Sequence, residues 1–237
     1  MFTGIVQSVA QLVGVNDCRG IRTFEIRFED GFCSELEIGA SIAVDGVCLT
    51  VTEILSPVLV RFDVILQSLL VTTLSKYQKG DWINVERAAK DGAEIGGHPL
   101  SGHIDFKSKL INVRCIEDNY CIRIDMPENW KRYIFPKGYI AINGASLTVA
   151  ETNKQEQWFE VWLIPETRRM TTFEEKHVGD YVNVEIERGT QVVVDSVRDT
   201  INESLGPLLP LFEKFLIENG ASVDTIAHET TKQLRNN

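Results

Sequence analysis

Two stretches of this chain place a small nucleophile two residues ahead of a threonine hydroxyl: Cys48 before Thr50, and Ser146 before Thr148. Residues two apart share one face of a β-strand. Each pair would therefore set a thiol or hydroxyl beside a second hydroxyl, with Val47, Leu49 and Val51, or Ala145, Leu147 and Val149, turned the other way. Such a face can bind a ligand and help move a proton. It also describes a half-buried strand with small residues outside. GGHPLSGHID, from Gly96 to Asp105, offers two imidazoles, the natural proton shuttles near neutral pH. His98 and His103 are five apart, which puts them on opposite faces of a strand, and the plainer reading of the segment is a linker with two surface histidines. Gln67-Ser68 and Glu166-Thr167 supply hydrogen bonds suited to a neutral polyhydroxy ligand, or to a helix N-terminus.

Other chemistries find no support. There is no G-x-S-x-G, phosphate-binding loop or dinucleotide fingerprint. Five cysteines (Cys18, Cys33, Cys48, Cys115 and Cys121) form no C-x-x-C pair, so neither a disulfide framework nor a metal site is expected. Twenty-four Lys and Arg against 34 Asp and Glu give a net charge of −10. That balance disfavours nucleic acid and anionic membrane surfaces. No apolar stretch reaches the roughly 18 residues of a membrane span, and the first basic residue is Arg19, so a cytoplasmic protein is expected.

The elements that position these residues come in two copies. GASIAVDGVCLTVTEI, from Gly39, recurs as KGYIAINGASLTVAET, from Lys137, so that Gly46 matches Gly144 and Cys48 matches Ser146 at an offset of 98 residues. FTGIV matches LSGHI, with Gly4 against Gly102 and Ile5 against His103, while KGDWINVE matches VGDYVNVE. Short runs rich in Val, Ile, Thr and Phe alternate with Gly, Asn and Asp turn signals. The reading is a mainly β chain of two homologous small antiparallel β-barrels in tandem, over 1–97 and 98–193, followed by C-terminal α-helices over 194–237. Short helices are expected from Pro127-Glu128-Asn129, over Leu66 to Lys76, and after Pro165. Val194, Val197, Ile201 and Leu205 make a helix stripe that either docks on a barrel or pairs with another subunit. Gly206-Pro207 breaks it, Leu208 to Ile217 continues as a second helix, and Ser222 would cap a third.

Together MFTGIVQ, GASIAVDGVCLTVTE, KGDWINVERAAK, GGHPLSGHID, INGASLTV and IPETRRMTT resemble the riboflavin synthase family over about residues 1–200. The resemblance implies a homotrimer held by the helix after the second barrel. It implies a cofactor-free exchange of a four-carbon unit between two molecules of 6,7-dimethyl-8-ribityllumazine, giving riboflavin and 5-amino-6-ribitylaminouracil. The alternative is a related antenna protein that binds lumazine or flavin without synthesis. Carried over by resemblance, an N-barrel site comprises Gly4, Ile5, Val6, Cys48, Leu49, Thr50, Asp63, Val64, Ile65, Leu66, Gln67 and Ser68. A C-barrel site comprises Gly102, His103, Ile104, Lys137, Ser146, Leu147, Thr148, Leu163, Ile164, Pro165, Glu166, Thr167 and Arg168. His103 and Ser146 are implied in taking a proton from the 7-methyl group, with Cys48 in the catalytic pocket. The N-barrel segment departs from the family's E-T-L-R-x-T-N, having Gln67, Ser68, Leu70 and Thr73 in the Glu, Thr, Arg and Asn places, and the tail after Leu205 is longer than usual.

Overall fold

The structure, a computed structural model, describes residues 1–218; the expected helix cap at Ser222 lies outside them. Residues Met1–Thr190 form one compact unit and the chain from Gln191 a second.

In the first unit, β1 (Ser8–Cys18), β2 (Ile21–Arg27), β3 (Ser41–Val44), β4 (Val47–Ser56), β5 (Leu59–Ile65) and β6 (Trp82–Arg87) close a barrel in the order β1-β2-β5-β4-β3-β6. The second barrel joins β7 (Phe106–Ile116), β8 (Asn119–Asp125), β9 (Tyr139–Ile142), β10 (Ala145–Asn153), β11 (Trp158–Leu163) and β12 (Tyr181–Ile186) as β10-β11-β8-β7-β12-β9. The copies agree in detail. Ala43 pairs with Cys48 as Ala141 pairs with Ser146, and the bulges at Leu12/Gly14 and Val51/Glu53 recur at Leu110/Asn112 and Val149/Glu151. An extra residue at these corners bends the strand enough to close so small a barrel.

Each barrel has its own core. Leu12, Phe24, Ile26 and Phe62 fill the first, and Leu110, Ile122, Ile142 and Phe159 take the matching burial in the second. Each such side chain contributes about 1.5–3 kcal/mol on leaving water.

The barrels meet about a pseudo-two-fold axis. Asn84 Nδ2 donates to Asn143 O (3.0 Å) and its Oδ1 accepts from Thr172 N (2.8 Å). Reciprocally, Asn183 Nδ2 donates to Asp45 O (2.9 Å) and its Oδ1 accepts from Thr73 N (2.8 Å). A Cβ on Gly46 would lie 2.7 Å from Gly144 N, so glycine is what lets the two hairpins touch.

The helices follow the expected places with two changes. The Leu66 helix splits into α1 (Leu66–Val71) and a 3-10 turn at Thr73–Lys76, because extended Thr72 intervenes and its hydroxyl accepts from Leu74 N. Its copy is α2 (Pro165–Arg169) with a 3-10 turn at Thr172–Glu175. No helix forms at Pro127. Two successive turns run there, closed by Trp130 N to Pro127 O and Tyr133 N to Trp130 O, while Tyr133 and Ile134 are drawn inside. Next, α3 (Arg188–Leu205) starts ahead of its apolar stripe because Glu187 caps it, accepting from Gly189 N, Thr190 N and Thr190 Oγ1. After a 3-10 turn at Gly206–Leu208, α4 (Leu209–Glu218) follows. No described helix is long and apolar enough to cross a membrane.

Candidate functional site

Strands β4 and β10 alternate as the sequence indicates. Val47, Leu49 and Val51 point into one barrel and Ala145, Leu147 and Val149 into the other, leaving Cys48, Thr50, Ser146 and Thr148 on outer faces. What completes each face is the finding that the sequence did not indicate. Gly4, Ile5 and Val6 lie on the second barrel, where Gly4 O accepts from Ser146 N at 2.8 Å. Gly102, His103 and Ile104 lie on the first, where Gly102 O accepts from Cys48 N at 2.8 Å. The grouping by barrel is thus corrected. The two segments cross, pinned where Phe2 and Leu100 form a bridge with N–H···O distances of 2.8 and 3.0 Å.

Glycine is required at both crossings. Gly4 and Gly102 have φ of 75° and 77°, and a Cβ would stand 2.6 Å from the Cβ of Ser146 or of Cys48. The close approach makes each face a composite of one barrel's strand and the other barrel's leading segment.

The Ser146 face opens on a cavity of about 270 Å³ lined by Gly4, Ile5, Val6, Ser146, Ile164, Glu166 and Thr167 among others. Ile5 and Ile164 are exposed at its edge. Arg169 ion-pairs with Glu166 and holds its carboxyl below the ordinary carboxylate value. Pro165 begins α2 at the same rim, and Arg168 is engaged by Glu174 and Asp118 O. Lys137 stands exposed in the turn before β9, its N–H bonded to Val149 O. In the matching segment of the first copy, Ile65, Leu66 and Leu70 are exposed apolar residues beside Gln67, and Asp63 accepts from Thr23 Oγ1 at 2.6 Å. Leu49, Val64, Leu147 and Leu163 face the barrel interiors, so their side chains are not available to a ligand outside.

The histidines also divide differently. Residues 96–105 form no named strand, and His98 is no surface residue: it is 3% exposed, stacks on Tyr139 and brings Nδ1 to 2.6 Å from Ser146 Oγ. Burial pushes its pKa below the ordinary imidazole value, and the nearby Glu187 carboxylate opposes that shift only in part. His103 is exposed and belongs with Cys48. Sequence reasoning missed His98 as a site residue. Its neighbour Gly97 is required by the packing, since a Cβ there would strike Thr3 O and stand 2.6 Å from Ser146 Cβ. Chemically, the arrangement offers a neutral imidazole joined to a hydroxyl on one face, and on the other a thiol-bearing strand held against the segment that carries an exposed imidazole.

The lumazine binding domain matches residues 3–88 and again 101–187. Riboflavin synthase of Escherichia coli (strain K12) is 44% identical over 198 residues, covering 83% of this chain and 92% of that protein. Riboflavin synthase of Buchnera aphidicola subsp. Schizaphis graminum is 38% identical over 209 residues, covering 88% and 99%. Among solved structures, LumP complexed with 6,7-dimethyl-8-(1'-D-ribityl) lumazine superposes with a TM-score of 0.71 at 26% identity, covering 79% of this chain and 100% of that one. LumP complexed with riboflavin gives 0.73 with the same identity and coverage.

Proposed function

The chain belongs to the riboflavin synthase family of tandem lumazine-binding domains, and on that premise we propose how its two composite faces divide the reaction. The activity is the dismutation of 6,7-dimethyl-8-ribityllumazine: one molecule passes a four-carbon unit to another, giving riboflavin and 5-amino-6-ribitylaminouracil. Each face binds one lumazine, the ring against Cys48 or Ser146 and the ribityl chain toward Gln67-Ser68 or Glu166-Thr167. Three segments then have separate tasks: 1–97 and 98–193 carry the sites, and 194–237 assembles the protein in the cytoplasm.

The observation that carries the division of labour is the 2.6 Å contact between His98 Nδ1 and Ser146 Oγ. Donor and acceptor are the same compound, so unequal pockets must assign the roles. A neutral imidazole joined to a hydroxyl can take the proton from the acidic 7-methyl group. The anion left behind is delocalised over the ring and is stabilised by positioned donors. Cys48 and His103 then line the pocket of the second lumazine. For the rings to meet, the Ser146 face of one subunit opposes the Cys48 face of another. The exposed Ile5, Ile164, Ile65 and Leu66 become the covered walls of the joint site, and the α3 stripe holds a trimer together.

The test is incubation of the purified protein with 6,7-dimethyl-8-ribityllumazine while the riboflavin absorbance is followed. Riboflavin should appear with half the consumed lumazine recovered in it. Binding without turnover would leave an antenna role and remove the catalytic assignment.

A further inference from the structure

Two carboxylates in the barrel walls have no part in the chemistry above. Glu86 on β6 and Glu185 on β12 are each 2% exposed, on the outer side of strands whose alternate residues Val85, Val184 and Ile186 fill the cores. Burying a carboxylate is unfavourable unless it is hydrogen-bonded, and each is bonded to the same construction. Glu185 Oε1 accepts from Ser101 N (2.8 Å) and Ser101 Oγ (2.6 Å), and Oε2 accepts from Gly102 N (3.0 Å). Ser101 Oγ in turn accepts from His103 N at 3.2 Å. Glu86 repeats the pattern: Thr3 N (2.6 Å) and Thr3 Oγ1 (2.7 Å) donate to Oε1, Gly4 N (3.1 Å) donates to Oε2, and Ile5 N reaches Thr3 Oγ1 at 3.2 Å.

We propose that Glu185 and Glu86 are positioning residues that act on the site of the opposite barrel. Glu185 fixes the His103 segment on the Cys48 face, and Glu86 fixes the Ile5 segment on the Ser146 face. Successive N–H groups converge on each carboxylate, folding the segment back so that the Gly102 or Gly4 carbonyl meets the other barrel's strand. The hydroxyl of Ser101 or Thr3 passes the constraint on to the first residue that faces the ligand. Only a carboxylate satisfies this set, since all three atoms facing it are donors. An amide would offer one accepting oxygen and turn an N–H toward another N–H. Burial pushes both carboxyl groups above their ordinary values, and the three donors oppose that shift.

The inference rests on the faces being lumazine sites. The experiment uses the full chain and its Glu185→Gln, Ser101→Ala and Glu86→Gln variants. Turnover is measured with 6,7-dimethyl-8-ribityllumazine, and protection of Cys48 from iodoacetamide by the same compound is read by peptide mass spectrometry. Glu185→Gln should lower kcat by about 10- to 100-fold, the scale of misplacing a reacting group by about 1 Å. It should also abolish the protection of Cys48, although Glu185 lies on the other barrel. Ser101→Ala should act in the same direction, and Glu86→Gln should lower kcat while Cys48 stays protected. If Glu185→Gln does not fold, Ser101→Ala decides by the same readouts. Wild-type kcat and Cys48 protection in the Glu185 and Ser101 variants would overturn the proposal, and so would equal loss of protection in the Glu185 and Glu86 variants. Failure of the wild-type chain to form riboflavin would instead strike the synthase reading, and the protection assay would still judge the positioning role.

Discussion

His98 Nδ1 lies 2.6 Å from Ser146 Oγ, while His103 follows Gly102, the residue whose carbonyl accepts the Cys48 N–H. Each nucleophile-bearing strand thus has one imidazole, buried at Ser146 and exposed at Cys48. The duplication built two similar faces, and the sequence between the copies made them unequal. His98 lies between the two matched domains, which cover residues 3–88 and 101–187, and so outside the part that the copies share.

His98→Gln should lower kcat by about 100- to 10,000-fold, the range for a lost general base, with lumazine affinity changed only a few-fold. Steady-state kinetics beside a binding titration read this. The pH dependence has a definite sign. His98 is held below the ordinary imidazole value of 6.5, so the folded protein prefers it neutral. As pH falls through that value the unfolded chain takes up the proton first, and wild type loses stability relative to His98→Gln. A kcat unchanged in the variant would mean that Ser146 works without an imidazole.

His103→Gln should likewise reduce turnover far more than binding, through the Cys48 face. Its side chain is exposed, so the substitution leaves both barrel cores untouched, and thermal melting should coincide with wild type. An unchanged turnover would confine His103 to a surface role.

The barrels were legible because a strand repeated 98 residues later, with its glycines and its alternation intact, constrains both copies at once. The crossed segments were not. A repeat shows that Gly4 and Gly102 are equivalent but not which barrel each touches, and that depends on contacts such as Ser146 with Gly4, far apart in the chain. His98 was misread for a related reason, since a histidine in a glycine-rich stretch carries no mark of burial. The proline at Pro127 suggested a helix, but the need to bury Tyr133 and Ile134 close together favoured turns. The acid in NVE, at Glu86 and Glu185, was visible twice within apolar strands and went unread.

Ending the chain after Gln191 removes the Val194, Val197, Ile201 and Leu205 stripe but leaves both barrels and the Glu187 cap. The product should fold, sediment as something smaller than a trimer, and retain little activity, because each joint site would lose its second face. A persistent, active trimer would show that α3 is not the element of assembly.

Asp45 and its copy Asn143 give a stability test inside one molecule. Asp45 Oδ1 accepts from Asn84 N at 2.8 Å, and its other oxygen accepts from the Tyr77 hydroxyl; Asn143 Oδ1 accepts from Asn183 N at 2.7 Å. Burial pushes the Asp45 carboxyl above its ordinary value, with Lys176 and the two hydrogen bonds opposing. A raised carboxyl costs stability as pH rises past its unfolded value. Asp45→Asn should therefore melt higher than wild type at pH 7, by an amount on the order of 1 kcal/mol, about one net hydrogen bond. The advantage should shrink toward pH 4. A lower melting temperature at pH 7 would show that the Tyr77 bond needs the charge.

The helices at the edge of the two faces, α1 and α2, differ by a matched pair of residues. Glu166 is ion-paired with Arg169 on α2, whereas the first copy has Gln67 and Leu70 in those places, so charge and counter-charge are absent together. Glutamine still donates to and accepts from a neutral hydroxyl, and Ser68 keeps the hydroxyl that threonine would bring. A hydrogen bond to an ionised group contributes roughly 1.5–3 kcal/mol against about 1 for a neutral pair. Gln67→Glu should therefore tighten lumazine binding several-fold at the Cys48 face without changing the product. Adding Leu70→Arg should hold the new carboxylate ionised, as Arg169 does for Glu166, and preserve the gain at lower pH. Calorimetric titration of the two variants against wild type measures both effects. Identical affinities in all three would mean that this segment does not reach the ribityl chain.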